Sequence, residues 1–298
     1  MNTSNSISIA SSAMLVELCI STWTARKLDK KVSAEVDSAK GTKTNAGNYN
    51  KNLLAGTGFL DTITKYAANA RAWHISQTLP WSDNGLRLLP VSNFITYKEQ
   101  LATLETNYNA LVQKFIVAYP NLVSAAAFQL GALFDRDEYP EADTIERKFQ
   151  FSVNFLPVPT AGDFRVDIGE EAKQELIASC NNAYNDRLDL AMKDAWGRLH
   201  EQLLRMSDRL SDLDTPRELK NGEKIFTKVF RDSLVENAVE LVDLLKHFNL
   251  TNDPSMEQAR VALHDAINYH DADDLRNHPE ARVEVKSKVD EILNKFNF

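Results

Sequence analysis

The chain has 298 residues, 43% hydrophobic and 26% charged, with a net charge of −8. That composition excludes a disordered or fibrous chain and leaves room for a sizeable core. An acidic whole argues against bulk affinity for nucleic acid, and two cysteines without a partner motif exclude a disulfide framework.

The first residues, MNTSNSISIASSAMLVELCISTW, carry no basic stretch ahead of the apolar run. No signal peptide is expected from them. Cys19 and Cys180 are expected to be buried free thiols in a reducing, cytoplasmic setting. An Asn-Leu-Thr triplet at Asn249 then carries no glycan. Charge is unevenly placed: residues 1–120 hold 12 basic and 8 acidic side chains, and the remainder holds 22 and 34. The basic part leaves room for a local anionic contact.

Taken in order, residues 14–23 are rich in β-branched and aromatic types and predict a strand. In the polar segment that follows, Leu28, Val32 and Val36 recur every four residues and predict a helix, and 41–52 reads as a loop. Residues 57–73 predict a second helix. Ser82-Asp83-Asn84-Gly85 marks the turn of a short hairpin or ordered loop. Tyr97, Leu101, Leu104, Tyr108, Leu111 and Phe115 alternate spacings of four and three, the seam of a coiled-coil helix. Pro120 is expected to break or kink it, and LVSAAAFQLGALF, residues 122–134, is too short to span a bilayer.

FQFSVNFLPVPTAGDFRVDI, residues 149–168, contains two alternating runs around a Pro/Gly turn. It predicts a hairpin with Phe149, Phe151, Val153 and Phe155 inward. On the wet side, Gln150, Ser152, Asn154, Arg165 and Asp167 can meet a partner. From Gly169, Ile177, Cys180, Tyr184, Leu188, Ala191, Ala195, Leu199, Leu203, Met206, Leu210 and Leu213 keep a three/four spacing. A helix of that length needs a partner, and residues 92–134 are the expected one. Thr215-Pro216-Arg217-Glu218 has a capping-box pattern, and 223–248 predict a helix through Phe226 and Phe230. Asp253-Pro254 and His278-Pro279 each open another.

Chemistry-bearing patterns are sparse. GxGxxG, GxxxxGK[ST], GxSxG and HExxH are all absent. HDAINYHDADDLRNH, residues 264–278, holds three histidines and four aspartates. With His247 it suggests a metal-dependent phosphohydrolase, set against a solvated helix junction, and no residue is assigned as a metal ligand. Arg26, Lys27, Lys30, Lys31, Lys40, Lys43 and Lys51, flanked by Trp23 and Tyr49, suggest single-stranded nucleic-acid binding, set against a solvated face. Trp73, His74 and Trp81 read as core residues rather than a pocket.

Four stretches, LCISTWTARKLDKKVSAEVDSAKG, AGNYNKNLL, TLPWSDNGLRLLPVSNFITY and FLPVPTAGDFRVDIG, resemble a bacteriophage and proteobacterial family carried as a domain of unknown function. The resemblance spans about residues 15–215. It brings no catalytic residues. It implies a gene context beside a MoxR-type AAA+ ATPase and a von Willebrand factor A-like protein, and hence protein partners.

The expectation is therefore an α+β, mainly α protein. A long antiparallel, coiled-coil-like helical hairpin (92–134 with 170–213) carries a small antiparallel β-sheet at one end, joined by the N-terminal strand. Residues 1–215 would form one domain and 216–298 a C-terminal helical bundle. The expected function is a non-enzymatic, phage-encoded adaptor in the host cytoplasm, able to form homo-oligomers, with no cofactor and no membrane. Arg26, Lys27, Lys30, Lys31, Gln150, Asn154, Arg165 and Asp167 are its candidate contact residues.

Overall fold

The structure, a computed structural model, describes residues 9–83, 85–159, 169–211, 216–218, 224–226 and 231–296. It is mainly helical, with a small sheet, a long helix and a C-terminal set of helices. The elements begin with α1 (Ile9–Ser12), β1 (Ala13–Ser21), β2 (Arg26–Leu28), α2 (Lys30–Ala39), β3 (Asn50–Asn52) and α3 (Phe59–Ser76). Then come β4 (Leu79–Pro80), β5 (Arg87–Pro90), α4 (Phe94–Leu130), α5 (Ala142–Glu146), β6 (Gln150–Leu156) and α6 (Glu170–Leu210). The chain closes with β7 (Pro216–Glu218), β8 (Lys224–Phe226), α7 (Ser233–Phe248), α8 (Pro254–Ile267), α9 (Ala272–Asn277) and α10 (Pro279–Lys295).

These elements form two compact units. The first takes Met1–Glu17, Ser76–Ile95 and Phe155–Phe298; the second takes Leu18–Ile75 and Thr96–Asn154. The expected cut at 215 lies inside the first unit. β1 runs from one unit into the other and is central to a sheet of order β4-β5-β1-β6. The N-terminal strand thus joins the sheet, as expected from its β-branched and aromatic composition. β1 and β5 are antiparallel, from Ala13 opposite Pro90 to Val16 opposite Arg87.

In the first unit, α6 supplies the spine. Ala191, Ala195, Leu199, Leu203, Met206 and Leu210 are buried in one apolar cluster. They share it with Val235, Val242, Leu245 and Phe248 of α7, Met256 and Leu263 of α8, and Val285, Val289 and Ile292 of α10. Each fully buried leucine there contributes about 2 kcal/mol. Helices of the same unit, α7 and α10, cover the buried half of the seam. Residues 96–134 belong to the second unit.

Arg198 fastens the spine. Its guanidinium donates to the Ser76 carbonyl at 2.7 Å and the Thr78 carbonyl at 2.8 Å, pairs with Asp194 and lies over the Phe248 ring. Ser207 donates to Asp290, which also pairs with Lys286. Asp253 caps α8 by accepting from the Ser255 N–H, with Pro254 in the first turn, and Pro279 opens α10.

In the second unit, α4 buries Tyr97, Leu101, Tyr108, Val112, Phe115, Tyr119, Val123 and Ala126. Leu104 and Leu111 of the expected seam are half-buried. The Tyr108 hydroxyl donates to the Ser21 carbonyl at 2.5 Å, and Tyr119 to the Pro140 carbonyl at 3.0 Å. Burial pushes both phenols up to about 12. The Trp23 ring packs on Phe115 and Tyr119.

Several local expectations change. Leu28, Val32 and Val36 do not share a helix: Leu28 is in β2, and Asp29 starts α2 by accepting from the Lys31 and Val32 N–H groups. Asn50–Asn52, read as loop, pairs with β2. α4 continues through Pro120, because buried Tyr119 and Val123 anchor the chain on either side. Pro216–Glu218 and Lys224–Phe226 pair as antiparallel strands instead of opening a helix, and α7 starts at Ser233. Both cysteines are free, but Cys19 is exposed and Cys180 half-buried, because β1 ends at an exposed rim and the first half of α6 buries no side chain. The returning run of the 149–168 hairpin, with Arg165 and Asp167, lies outside the described residues.

Candidate interaction surfaces

The basic surface is built on β2, α2 and β3. β2 and β3 are antiparallel, with Lys27 opposite Lys51. Ala25, buried and left-handed at φ 48°, turns the chain into β2, and its carbonyl accepts from the Leu53 N–H at 2.8 Å. The Ser33 hydroxyl donates to the Asp29 carbonyl at 2.6 Å and accepts from the Tyr49 N–H at 2.9 Å, closing helix onto strand. The sequence does show Asp29 as a helix N-cap; it does not show where β3 pairs.

Lys51 is withdrawn from this surface. It is 5% exposed, and its ammonium reaches Glu138 Oε2 at 2.6 Å, Asp29 Oδ2 at 3.4 Å and the Leu133 carbonyl at 2.9 Å. Burial opposes its charge, but Glu138 and Asp29 outweigh that and hold its pKa above the ordinary lysine value. The Val32 N–H, aided by Lys51, holds the Asp29 carboxyl below the ordinary range. Trp23 is half-buried against Phe115 and Tyr119.

Arg26 and Lys27 on β2, and Lys30 and Lys31 in the first turn of α2, remain exposed. That turn carries no acidic residue, and Asp29 already serves Lys51 and two backbone N–H groups. Cations at a helix N-terminus add to the positive end of the dipole. Lys30 and Lys31 in that turn therefore favour an anion, whereas Arg26 and Lys27, adjacent on β2, point to opposite faces of the strand.

Gln150 and Asn154 are exposed on β6, with Phe151 buried beneath them. The Gln150 amide donates to Ser152 Oγ at 3.3 Å. Their expected companions Arg165 and Asp167 lie outside the described residues.

Trp73 and His74 pack in the second unit, the His74 ring bonding to the Tyr97 hydroxyl at 2.7 Å with Trp73 stacked on Tyr97. Trp81 packs separately in the first unit, edge-on to Tyr184. In the His/Asp run, Asp271 and Asp274 make the capping box of α9, and His264 pairs with its neighbour Asp265. His247 bonds to Ser92 Oγ at 2.8 Å. Among the described residues no group of three or more His, Cys, Asp or Glu side chains could hold a metal ion.

A further surface escaped the sequence reading. Glu99, Thr103, Thr106, Ala110, Gln113, Val117, Asn121, Ser124 and Phe128 recur every three or four residues on α4, opposite its buried seam, and all are exposed. A solvent face of this length is ordinarily charged, yet only Glu99 is. From Phe115 to Phe134, 20 residues carry no charge at all. Val117 is 80% exposed and Phe128 90%. The hydroxyls of Thr103, Thr106 and Ser124 fold back to carbonyls one turn earlier, which makes the face less polar still. By length and composition alone, Val91–Leu133 is the one described helix apolar enough to cross a membrane. Its seam, however, is packed with protein, and Gln113 and Asn121 interrupt its outer face. The signal for this surface is an absence of charge, which a search for apolar spacing passes over.

α6 offers a third surface. Between Glu170 and Leu190 no side chain is buried, while Leu176, Ile177, Cys180, Tyr184 and Leu188 are half-buried.

No protein-family model matches the chain, and neither a curated protein nor a solved structure matches it.

Proposed function

We propose that this protein is a non-enzymatic adaptor that works in a multiprotein complex. The observation that carries the reading is the uncharged outer face of α4, with Val117 and Phe128 in solvent. Exposed apolar side chains on a long, rigid, charge-free face are a hallmark of protein contact. The half-buried seam of coiled-coil spacing in the first turns of α6 supports the same reading, as does the proposed pairing of 92–134 with 170–213 as a coiled-coil-like hairpin. The family resemblance supplies the partner class, a MoxR-type AAA+ ATPase with a von Willebrand factor A-like protein, and a phage-encoded role in the host cytoplasm. Capture of a purified MoxR-type ATPase on the immobilised chain tests it. Retention that is lost in V117E/F128E supports the reading; an ATPase that passes through with and without ATP overturns this partner.

A second reading rests on a different observation, the exposed Arg26, Lys27, Lys30 and Lys31 beside the start of α2, whose one carboxylate, the N-cap Asp29, is already engaged by Lys51 and two backbone N–H groups. They suit the phosphates of a single strand. A gel shift with single-stranded DNA should weaken steeply with salt and vanish in K30E/K31E. No shift at low salt ends this reading.

A further inference from the structure

We infer that the outer face of α4 docks a second copy of this chain, as an antiparallel helix pair with its two-fold axis beside Val117. The inference deepens the reading of that face as a contact surface. A two-fold contact sets each residue against a fixed counterpart, so a face bearing one sign of charge would repel itself. This protein has a net charge of −8, but no side chain of the α4 stripe from Thr103 to Phe128 is charged, and its margins carry both signs, Lys114 on the helix and Glu146 bonded to Gln113.

The face is also complementary to itself in size. About an axis at Val117, Phe128 of one copy meets Thr106 of the other, Ser124 meets Ala110, and Asn121 meets Gln113. The large ring faces a small side chain, and amide faces amide. The Gln113 amide nitrogen already donates to Glu146 at 2.6 Å. That leaves its carbonyl oxygen to accept from the Asn121 amide of the second copy. Lipid fits the face less well, because Gln113 and Asn121 would lose water without gaining partners.

The paired segment is about 40 Å long, and two helix faces of that length cover on the order of 1,000 Å² in total. That is the lower edge for specific association. The dimer should therefore be weak and concentration-dependent, and it should survive high salt because no ion pair holds it.

Sedimentation equilibrium of the purified chain, with no ATPase present, tests this apart from the adaptor reading. A monomer–dimer equilibrium that persists in half-molar salt (about three times physiological ionic strength) is expected, with dissociation at least tenfold easier in V117E and F128E. Circular dichroism checks that both variants keep the fold. In a C19S/C180S background, V117C should oxidise to a disulfide-linked dimer, as should the mixed pair T106C with F128C. A wild-type chain that stays monomeric at all concentrations overturns the inference. So does a dimer indifferent to V117E and F128E, a dimer in which V117C does not cross-link, or a monomer that instead sediments with neutral phosphatidylcholine vesicles.

Discussion

Lys51 shows how little a residue's type says about its role. It stands among lysines in the sequence and reads as part of a cationic face. The chain instead buries it between Asp29, Glu138 and the Leu133 carbonyl, where it ties β2, α2 and β3 to the segment after α4. Replacing it by Met leaves Glu138 without its cation and Asp29 with only its two backbone N–H partners, and the chain should be less stable in urea unfolding. The pH signs follow from the shifts. Asp29 is held below its ordinary pKa, so its contribution is present above about pH 4 and lost as pH falls through the lower folded value. Lys51 is held above its own, so its contribution is present below about pH 10 and lost as pH rises through the higher folded value. The wild-type advantage over K51M should thus be flat across neutral pH and fall at both ends. An advantage that instead peaks sharply near neutrality would refute the triad's role. Glu138 lies 87 residues beyond Lys51, so no local pattern could have paired them.

At the scale of elements, spacing was a good guide where one face had to be buried. The seams of α4 and α6, the strand β1 and the proline-led starts of α8 and α10 follow the sequence closely. Local signatures failed where pairing across the chain competed with them. The capping-box pattern at Thr215–Glu218 was overridden by pairing of Pro216–Glu218 with Lys224–Phe226. The Asn-Gly dipeptide between them is a strong hairpin signal that the helical spacing of Phe226 and Phe230 obscured. Pro120 is the reverse case, a local breaker overruled by packing. Its ring still removes one helical hydrogen bond and crowds the preceding turn. Pro120→Ala should therefore raise stability by about 1 kcal/mol, measured as a higher urea midpoint at unchanged slope. A variant that is no more stable would mean the helix has absorbed the proline at no cost.

For the whole molecule, the order of segments matters more than any one element. Each compact unit is built from separated stretches, and the first gathers its core from both ends of the chain. Ala195, Leu199, Leu203 and Met206 of α6 depend for cover on α7 and α10, which come later in sequence. Residues 1–215 expressed alone should thus leave that face bare. The fragment should aggregate or bind a hydrophobic dye, whereas the full chain should not. A soluble, cooperatively folding 1–215 fragment would show that the C-terminal helices form a separate domain after all.

The sequence by itself determined the class of this protein, its long helices and their buried seams, because an apolar stripe at fixed spacing can be satisfied only by burial. It also marked Arg26, Lys27, Lys30, Lys31, Gln150 and Asn154 as polar surface, since nothing local compels their burial. Only the tertiary structure decided that α7 and α10 cover the buried half of α6, that Lys51 leaves the basic face, and that the nearly uncharged outer face of α4 is open. Those depend on contacts between residues far apart in the chain, where loop closure and packing outweigh local preference.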